Sequence, residues 1–410
     1  MTAHFTRHLA ILFLLCGCSP FARTQGPQKP LAAAEVLALV AGDALSENIV
    51  HDIESRGLAF TPNDAYRSEL MTAGADARVL AALKTAKVSE SSAGTGDKQS
   101  AELLQHLATA GNLIRSKQYD QAAQELDAAL QSTADPAPFF VMGELLCRQD
   151  QWREAVSLFG DVLDTDANFP EAHTKLAYSL HRIGRPEDAL HEVKIALADN
   201  PADAEAHRVK GIALDDQQKY EAGMAEYREA LRIKPDYGVV HYDMGVSFNE
   251  RQDRHNAIAE YRKSIALDPQ FCCAYYNLAN SLSDNGDIDG AILAYREAKR
   301  VDPTRIDVRQ NLAADLSKRD RSAALQEFRE LIAMSPDFAY AHTGLGVTLL
   351  PRALLGSVWE RGRVRIHPLA DSEMWVDTVF IRHREAYASS ALGAFLGIAR
   401  PVLAGAVAAE

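Results

Sequence analysis

At 410 residues the chain has room for two or three structural units, and its hydrophobic fraction of 47% is that of an ordinary globular protein. A formal net charge of −13 argues against nucleic acid as a partner, because the basic stripe that a phosphate backbone requires is absent. Five cysteines, of which Cys16 and Cys18 lie close to the start of the chain, do not make a disulfide framework.

The chain opens on an export pattern. His4, Arg7 and His8 form a short polar start, and the run from Leu9 to Leu15 is an apolar core too short to span a bilayer. The sequence Leu15-Cys16-Gly17-Cys18-Ser19 follows. It resembles the lipobox of bacterial lipoproteins, which implies a signal peptide over residues 1–18 and lipidation of Cys18 as the mature N-terminus. Ser19 is similar to the residue found after the cysteine in lipoproteins sorted to an outer membrane. The expected location is therefore the cell envelope, with the protein lipid-anchored to a membrane; plain secretion is the alternative. Residues 19–30, with Pro20, Gly26, Pro27 and Pro30, read as a tether.

Residues 31–88 carry apolar positions at helical spacing in about four short runs. The first lies between Leu31 and Gly42, and the second begins near Ser46 and carries Ile49, Val50 and Ile53. Thr61-Pro62-Asn63-Asp64 opens a third, and residues 74–83 form a fourth. The reading is a small independent helical domain of unknown role, followed by a flexible linker at 89–100 rich in Ser and Gly.

Beyond this linker the chain becomes periodic. Pro201, Pro235, Pro269 and Pro303 recur at one constant interval, and Ala189, Gly223, Ala257 and Ala291 keep the same interval. So do Val193, Tyr227, Tyr261 and Tyr295. A fixed period of about 34 residues means units that bury their apolar faces only against their neighbours. Within a period, Leu176, Ala177 and Leu180 share one helical face, a break falls at Gly184-Arg185-Pro186, and Ala189, Val193, Ala196 and Leu197 form a second stripe. The proline then ends the second helix, since it lacks an N–H and pushes its predecessor out of the helical region.

This order of residues resembles the tetratricopeptide repeat. Tyr275, Leu278, Ala279, Ala291, Tyr295, Ala298 and Pro303 match the family's pattern throughout. Phe139, Met142, Gly143, Ala155 and Phe159 give an earlier unit, as do Leu113, Tyr119, Ala122 and Ala129. Leu312, Ala313, Leu316, Ala324, Phe328 and Pro336 give a later one, about one residue short. His342, Leu345, Gly346 and Leu349 begin a unit that is never completed. The resemblance implies an all-α fold in which about seven helix–turn–helix units form a right-handed superhelix over residues 101–350, preceded by the small helical domain.

The family's first helices line a concave groove, so the resemblance implies a function: a non-enzymatic scaffold that binds protein or peptide segments there. Carried over position by position, the groove residues are Thr174, Lys175 and Tyr178; Arg208; Tyr242, Asp243 and Asn249; Tyr276, Asn277 and Asn280; and Gln310 and Asn311. Asn277, Asn280 and Asn311 can both donate to and accept from a peptide main chain, and the tyrosines add flat contact area at little rotamer cost. Lys175 and Arg208 alone are too few for a clamp on a terminal carboxylate.

His106, His173, His207, His241 and His342 share one repeat position. They stand too far apart for a single metal, whose nitrogen ligands lie at about 2 Å, and are read as replacements for a bulky packing residue. No metal or cofactor is expected. The chain lacks a phosphate-binding loop, a nucleophile elbow and a zinc-protease helix. The alternative function is an accessory or substrate-recognition role in an enzyme system such as a repeat-linked protein glycosyltransferase. After Leu350 the periodicity stops, and residues 351–410 contain seven Arg and no Lys. That tail is read either as a divergent cap on the last repeat or as translation out of the original frame.

Overall fold

The computed structural model describes residues 28–89 and 98–335, together with Ala341 and Gly344. The leader with Cys18, most of the tether and the tail lie outside the described residues. Those residues form eighteen helices and two isolated parallel bridges.

Four short helices come first: α1 (Ala33–Ala41), α2 (Ser46–Arg56), α3 (Asp64–Ala73) and α4 (Ala77–Thr85). The third and fourth start where a side chain supplies a cap, Asn63 accepting from the Tyr66 amide and Asp76 from those of Arg78 and Val79. Two single-residue bridges, Leu31 with Leu58 and Leu58 with Val88, tie the ends of the segment together. Fourteen further helices form seven hairpins. They are α5 (Lys98–Arg115) with α6 (Tyr119–Ser132), α7 (Ala137–Arg148) with α8 (Trp152–Thr165), α9 (Ala172–Arg182) with α10 (Pro186–Asp199), and α11 (Ala204–Asp216) with α12 (Tyr220–Ile233). Then come α13 (Gly238–Glu250) with α14 (Arg254–Leu267), α15 (Cys272–Asp284) with α16 (Ile288–Val301), and α17 (Ile306–Leu316) with α18 (Arg321–Met334). The expected seven all-α units are present.

The periodic residues do what their spacing predicts. The second helices end at Asp199, Ile233, Leu267 and Val301, two residues before each proline. The intervening Asn200, Lys234, Asp268 and Asp302 leave the helical region, with φ from −124° to −133° and ψ from 88° to 94°. Each still donates its amide to the carbonyl four residues back, at 2.8–2.9 Å. Between the helices of a hairpin the chain turns through one left-handed residue: Lys117, Asp150, Gly184, Gln218, Gln252 and Gly286, with φ between 58° and 85°. Only two of these six are glycine, so four turns carry the modest strain of a side chain in that region. Small residues on the first helix admit the ring of the second. A Cβ on Gly211 would stand 2.5 Å from the Tyr227 ring, and one on Gly245 would stand 2.5 Å from that of Tyr261.

The chain forms two compact units, one ending at Pro235 and the other beginning at Asp236. In the first, the N-terminal helices are not independent. Helix α1 packs on α5 and α7, and α3 packs on α5, so that one apolar core runs from Leu31 through the repeats to Ala213. The expected linker is also shorter than its composition implied, since α5 already starts at Lys98. The physical reason lies in α1 itself. Its residues from Ala34 to Ala41 are all buried and, Glu35 apart, apolar, and a helix with apolar side chains on every side must be covered all round. In the second unit the core is built from the three hairpins α13–α18, closed by Phe328, Leu331 and Ala341.

Candidate protein-binding face

One position on the first helix of each hairpin shows how the face is used. In chain order it holds Leu107, Phe140, Thr174 and Arg208 in the first unit, and Tyr242, Tyr276 and Gln310 in the second. Leu107 and Phe140 are fully buried. They are covered by α1, whose C-cap Gly42 sits so close that a Cβ there would meet the Phe140 ring at 2.6 Å. Gly111 allows an equally close approach, its missing Cβ lying 2.8 Å from that of Ala41. The first two hairpins therefore bind their own N-terminal helices on this face.

Helix α2 continues the contact with polar groups. The Asn48 side chain donates to Asp203 at 2.8 Å, Arg56 donates to the Asn168 carbonyl at 3.2 Å, and Lys234 pairs with Glu47 at 2.9 Å. Asp203 also caps α11 through the amides of Glu205 and Ala206 and accepts from Thr174 at 2.9 Å. Thr174, expected in an open groove, is thus 1% exposed and committed to this network. Lys175 pairs with Glu144 at 2.9 Å. Arg208 makes two 2.7 Å bonds to Glu205, and its guanidinium lies 5.0 Å from the centre of the Tyr178 ring. Tyr178 in turn meets Trp152 edge-on at 5.7 Å. In the first unit, then, Thr174, Lys175 and Arg208 serve mainly to hold the structure.

The second unit keeps its candidates together. Tyr242, Asp243, Tyr276, Asn277, Asn280, Gln310 and Asn311 are all half-buried, and Asn249 is exposed. Asn277 donates to the Tyr242 hydroxyl at 3.1 Å, and Asn311 repeats the contact one hairpin later, reaching Tyr276 at 3.2 Å. Asn280 accepts from Asn311 at 3.1 Å and from the Tyr295 hydroxyl at 2.5 Å. Asn249 accepts from Ser281 at 3.4 Å. The asparagines are therefore half committed to a ladder that ties neighbouring first helices. Around it lie flat rings, with Phe271 at 4.9 Å from Tyr242 and the Arg305 guanidinium 4.8 Å from Tyr276. Tyr–amide rungs of this kind present aromatic faces and polar edges to a partner.

Two parts of this arrangement do not follow from the repeat pattern alone. One is the cover given by α1 and α2. Its signals were the all-round apolar character of Ala33–Ala41 and the apolar Leu107 and Phe140, where later repeats have polar or amphipathic residues. The other is the histidine series. His106, His173, His207 and His241 each place Nδ1 at 2.6–2.7 Å from a glutamate on the second helix of the same hairpin, so they are hydrogen-bonded to a carboxylate rather than simple packing groups.

Family models described as tetratricopeptide repeat match residues 140–193, 174–238 and 260–292. Those segments carry tetratricopeptide repeats, and the fold is all-α of that type. Among solved structures, a thermophilic tetratricopeptide protein of Thermus thermophilus is 24% identical, with a TM-score of 0.40, over 43% of this chain and 95% of that one. A tetratricopeptide repeat protein from Parabacteroides merdae is 15% identical, with a TM-score of 0.43, over 60% of this chain and 99% of that one. A different model, described as LysR substrate binding domain, matches residues 338–404. Over 53 residues the chain is 43% identical to the HTH-type transcriptional regulator GltR and 34% identical to the HTH-type transcriptional regulator CzcR, both of Bacillus subtilis. The chain spans 18% of the length of each of these regulators.

The cover formed by α2 is pH-sensitive. Asp52 is 6% exposed. Burial pushes its carboxyl up to about 7; Arg56 opposes the shift, while Asp199, Asp203 and Glu35 reinforce it. A carboxyl raised above its unfolded value of about 4 favours the folded state only while protonated. Stability therefore falls as pH rises from about 4 through about 7. Asp52→Asn removes the penalty. It is expected to raise the stability of the first unit above about pH 8 by on the order of 2–4 kcal/mol, read as a higher melting temperature and a flatter pH profile. An unchanged profile would contradict the assignment.

Proposed function

We propose that the protein is a non-catalytic scaffold that holds protein or peptide segments on the first-helix face of its second unit. A tetratricopeptide array is an interaction scaffold, and the observation that supports this site is the half-exposed Tyr–Asn ladder. Tyr242 and Tyr276 offer flat apolar area, while Asn249, Asn280, Gln310 and Asn311 offer amide groups along the face. In the first unit the equivalent face is filled by α1 and α2, which leaves it to structure. A photo-crosslinking residue at Gln310 or Asn249 of the full chain is expected to capture protein from cell-envelope material, and Tyr276→Ala is expected to abolish the adduct. The same probe at Leu293, 63% exposed on a second helix, serves as the control. Equal capture from all three positions would remove the case for this face.

We also infer that the scaffold is tethered to a membrane outside the cytoplasm through lipid on Cys18. The support is the leader: a short apolar core followed by Leu15-Cys16-Gly17-Cys18. No helix among the described residues is long and apolar enough to cross a membrane. One acyl chain holds a protein only marginally, so firm attachment needs more than one. Cys18→Ser is expected to shift the protein out of the membrane fraction and to leave an unprocessed precursor, both visible on fractionation. Normal processing in that variant would refute the lipid anchor.

The tail takes a third reading. We infer that residues 338–404 derive from a LysR-type substrate-binding domain, rather than being a divergent repeat cap or an out-of-frame run. The in-frame family match supports this. Ala341 is fully buried, and Gly344 lies where a Cβ would collide with the Phe328 ring, so the first residues of the segment already cover the last hairpin. Truncation after Leu350 is therefore expected to leave the melting of the repeats unchanged. A true cap would lose the burial of several side chains, about 1.5–3 kcal/mol each, and a clear drop in melting temperature would restore that reading.

A further inference from the structure

The histidine position is occupied by more than histidine. In the hairpins α5–α6, α9–α10, α11–α12 and α13–α14 it pairs with a glutamate at one fixed offset along the chain: His106 with Glu125, His173 with Glu192, His207 with Glu226, and His241 with Glu260. Where the first partner becomes an aromatic ring the glutamate is gone too, whereas Arg309 in the seventh hairpin keeps a carboxylate partner in Glu327. Phe139 stands in the series with Leu158 at the glutamate position, and Tyr275 with Ala294. The two sites vary together from repeat to repeat, which marks the pair as the unit.

The second ring nitrogen carries the inference. His173 Nε2 lies 3.3 Å from the Ala167 carbonyl, and His207 Nε2 lies 3.2 Å from that of Pro201, each six residues earlier in the turn that joins the preceding hairpin. A carboxylate and a carbonyl are both acceptors. A neutral imidazole has one donor and one acceptor nitrogen, so it can satisfy only one of them; the imidazolium satisfies both. The seventh hairpin makes the same two contacts with a permanent cation. There Arg309 donates through Nε to the Pro303 carbonyl at 3.0 Å, again six residues earlier, and through Nη1 to Glu330 at 2.6 Å and Glu327 at 3.4 Å. Arginine keeps its proton at every relevant pH.

We propose that His173 and His207 form a protonation-dependent clamp that locks each of their hairpins to the turn before it, a contact that Arg309 makes permanently in its own hairpin. The charged group facing His173 is Glu192 of α10. Around His207 stand Glu226 and Glu229 of α12, with Lys210 of α11 holding the second oxygen of Glu226 at 2.7 Å. Both histidines are half-buried, so the tie is sheltered without being sealed from solvent protons. It is complete while both ring nitrogens carry protons and is lost when one proton leaves, because one of the two acceptors then loses its donor. The turns that would loosen are the ones on which α2 rests: Asn168 beside Ala167, and Asp203 two residues beyond Pro201.

The test follows amide hydrogen exchange over α9–α12 between about pH 5.5 and 7.5, corrected for intrinsic rates, in the full chain carrying Asp52→Asn throughout so that the α2 carboxyl does not contribute. With both histidines in place, opening of these helices is expected to rise roughly fivefold to tenfold across the window, the size of one ordinary hydrogen bond lost. In the double variant His173→Arg with His207→Arg, most of that rise is expected to vanish and protection to stay near its acid-side level. In the double variant His173→Gln with His207→Gln, the rise is also expected to vanish, with protection fixed near its neutral-side level. Helices α17 and α18, tied by Arg309, are the internal reference. A rise of undiminished size in the Gln variant overturns the proposal, even if the Arg variant fails to fold.

Discussion

The constraint on which the repeats depend is close approach at a small first-helix residue, seen most plainly in three hairpins where a ring meets a missing side chain. Tyr227 lies against Gly211, Tyr261 against Gly245 and Phe159 against Gly143, always at the same offset along the chain. That contact sets how closely the two helices of a hairpin approach. It also leaves the rest of each helix free to carry other residues, because packing density in the hairpin is settled at one point. The inward hydroxyls are then used again: Tyr227 donates to Asp215 at 2.9 Å, and Tyr295 donates to Asn280. The same side chains that hold a hairpin shut thus fix the polar groups on its first-helix face.

That economy explains why the candidate face differs between the two units. In the first, the face begins with Leu107 and Phe140, and such residues require a cover. Helix α1 provides it with an apolar surface that has no other place to go. Where the face turns polar, at Thr174 and Arg208, α2 follows with Asn48, Glu47 and Arg56, matching hydrogen-bonding groups to the turns instead of apolar area. In the second unit the position is tyrosine twice and then glutamine, residues that tolerate half-exposure. The first unit therefore has a resident partner, and the second presents a surface with the chemistry to take one.

The fold was legible because repetition multiplies a weak signal: one proline proves little, but Pro201, Pro235, Pro269 and Pro303 at equal intervals fix the ends of four helices. The candidate face was legible only in part. Tyr242, Tyr276, Asn277 and Asn311 do gather, yet their mutual bonds could not be foreseen, since a side chain reaching into the neighbouring hairpin depends on how far one hairpin is displaced from the next. Thr174 was misplaced for a different reason. Asn48, which shares the Asp203 carboxylate with it, belongs to a helix that precedes the whole array. No periodicity within the repeats reports on a helix outside them. The histidines form a series along the sequence, but their glutamates sit on another helix and become visible only when both positions are compared across repeats.

The seventh hairpin, one residue short, shows where the chain can be edited. Ala313 and Phe328 stand one position closer along the chain than Gly245 and Tyr261 do, so the missing residue lies in the turn between them. That is the turn in which six other hairpins place a left-handed residue, and Ser317 there has φ −59° instead. The loss removed a strained position and touched neither the Tyr276–Asn311 rung before it nor the second-helix ring after it. Arg309, longer than histidine, spans the altered distance to Glu327 and Glu330. The hairpin turn is thus one place where length can drift as copies diverge. The joint between α6 and α7 is another, since Lys117 and Asp150 stand one residue closer along the chain than Asp150 and Gly184 do. The later joints, which carry the rungs and the proline stops, hold their count.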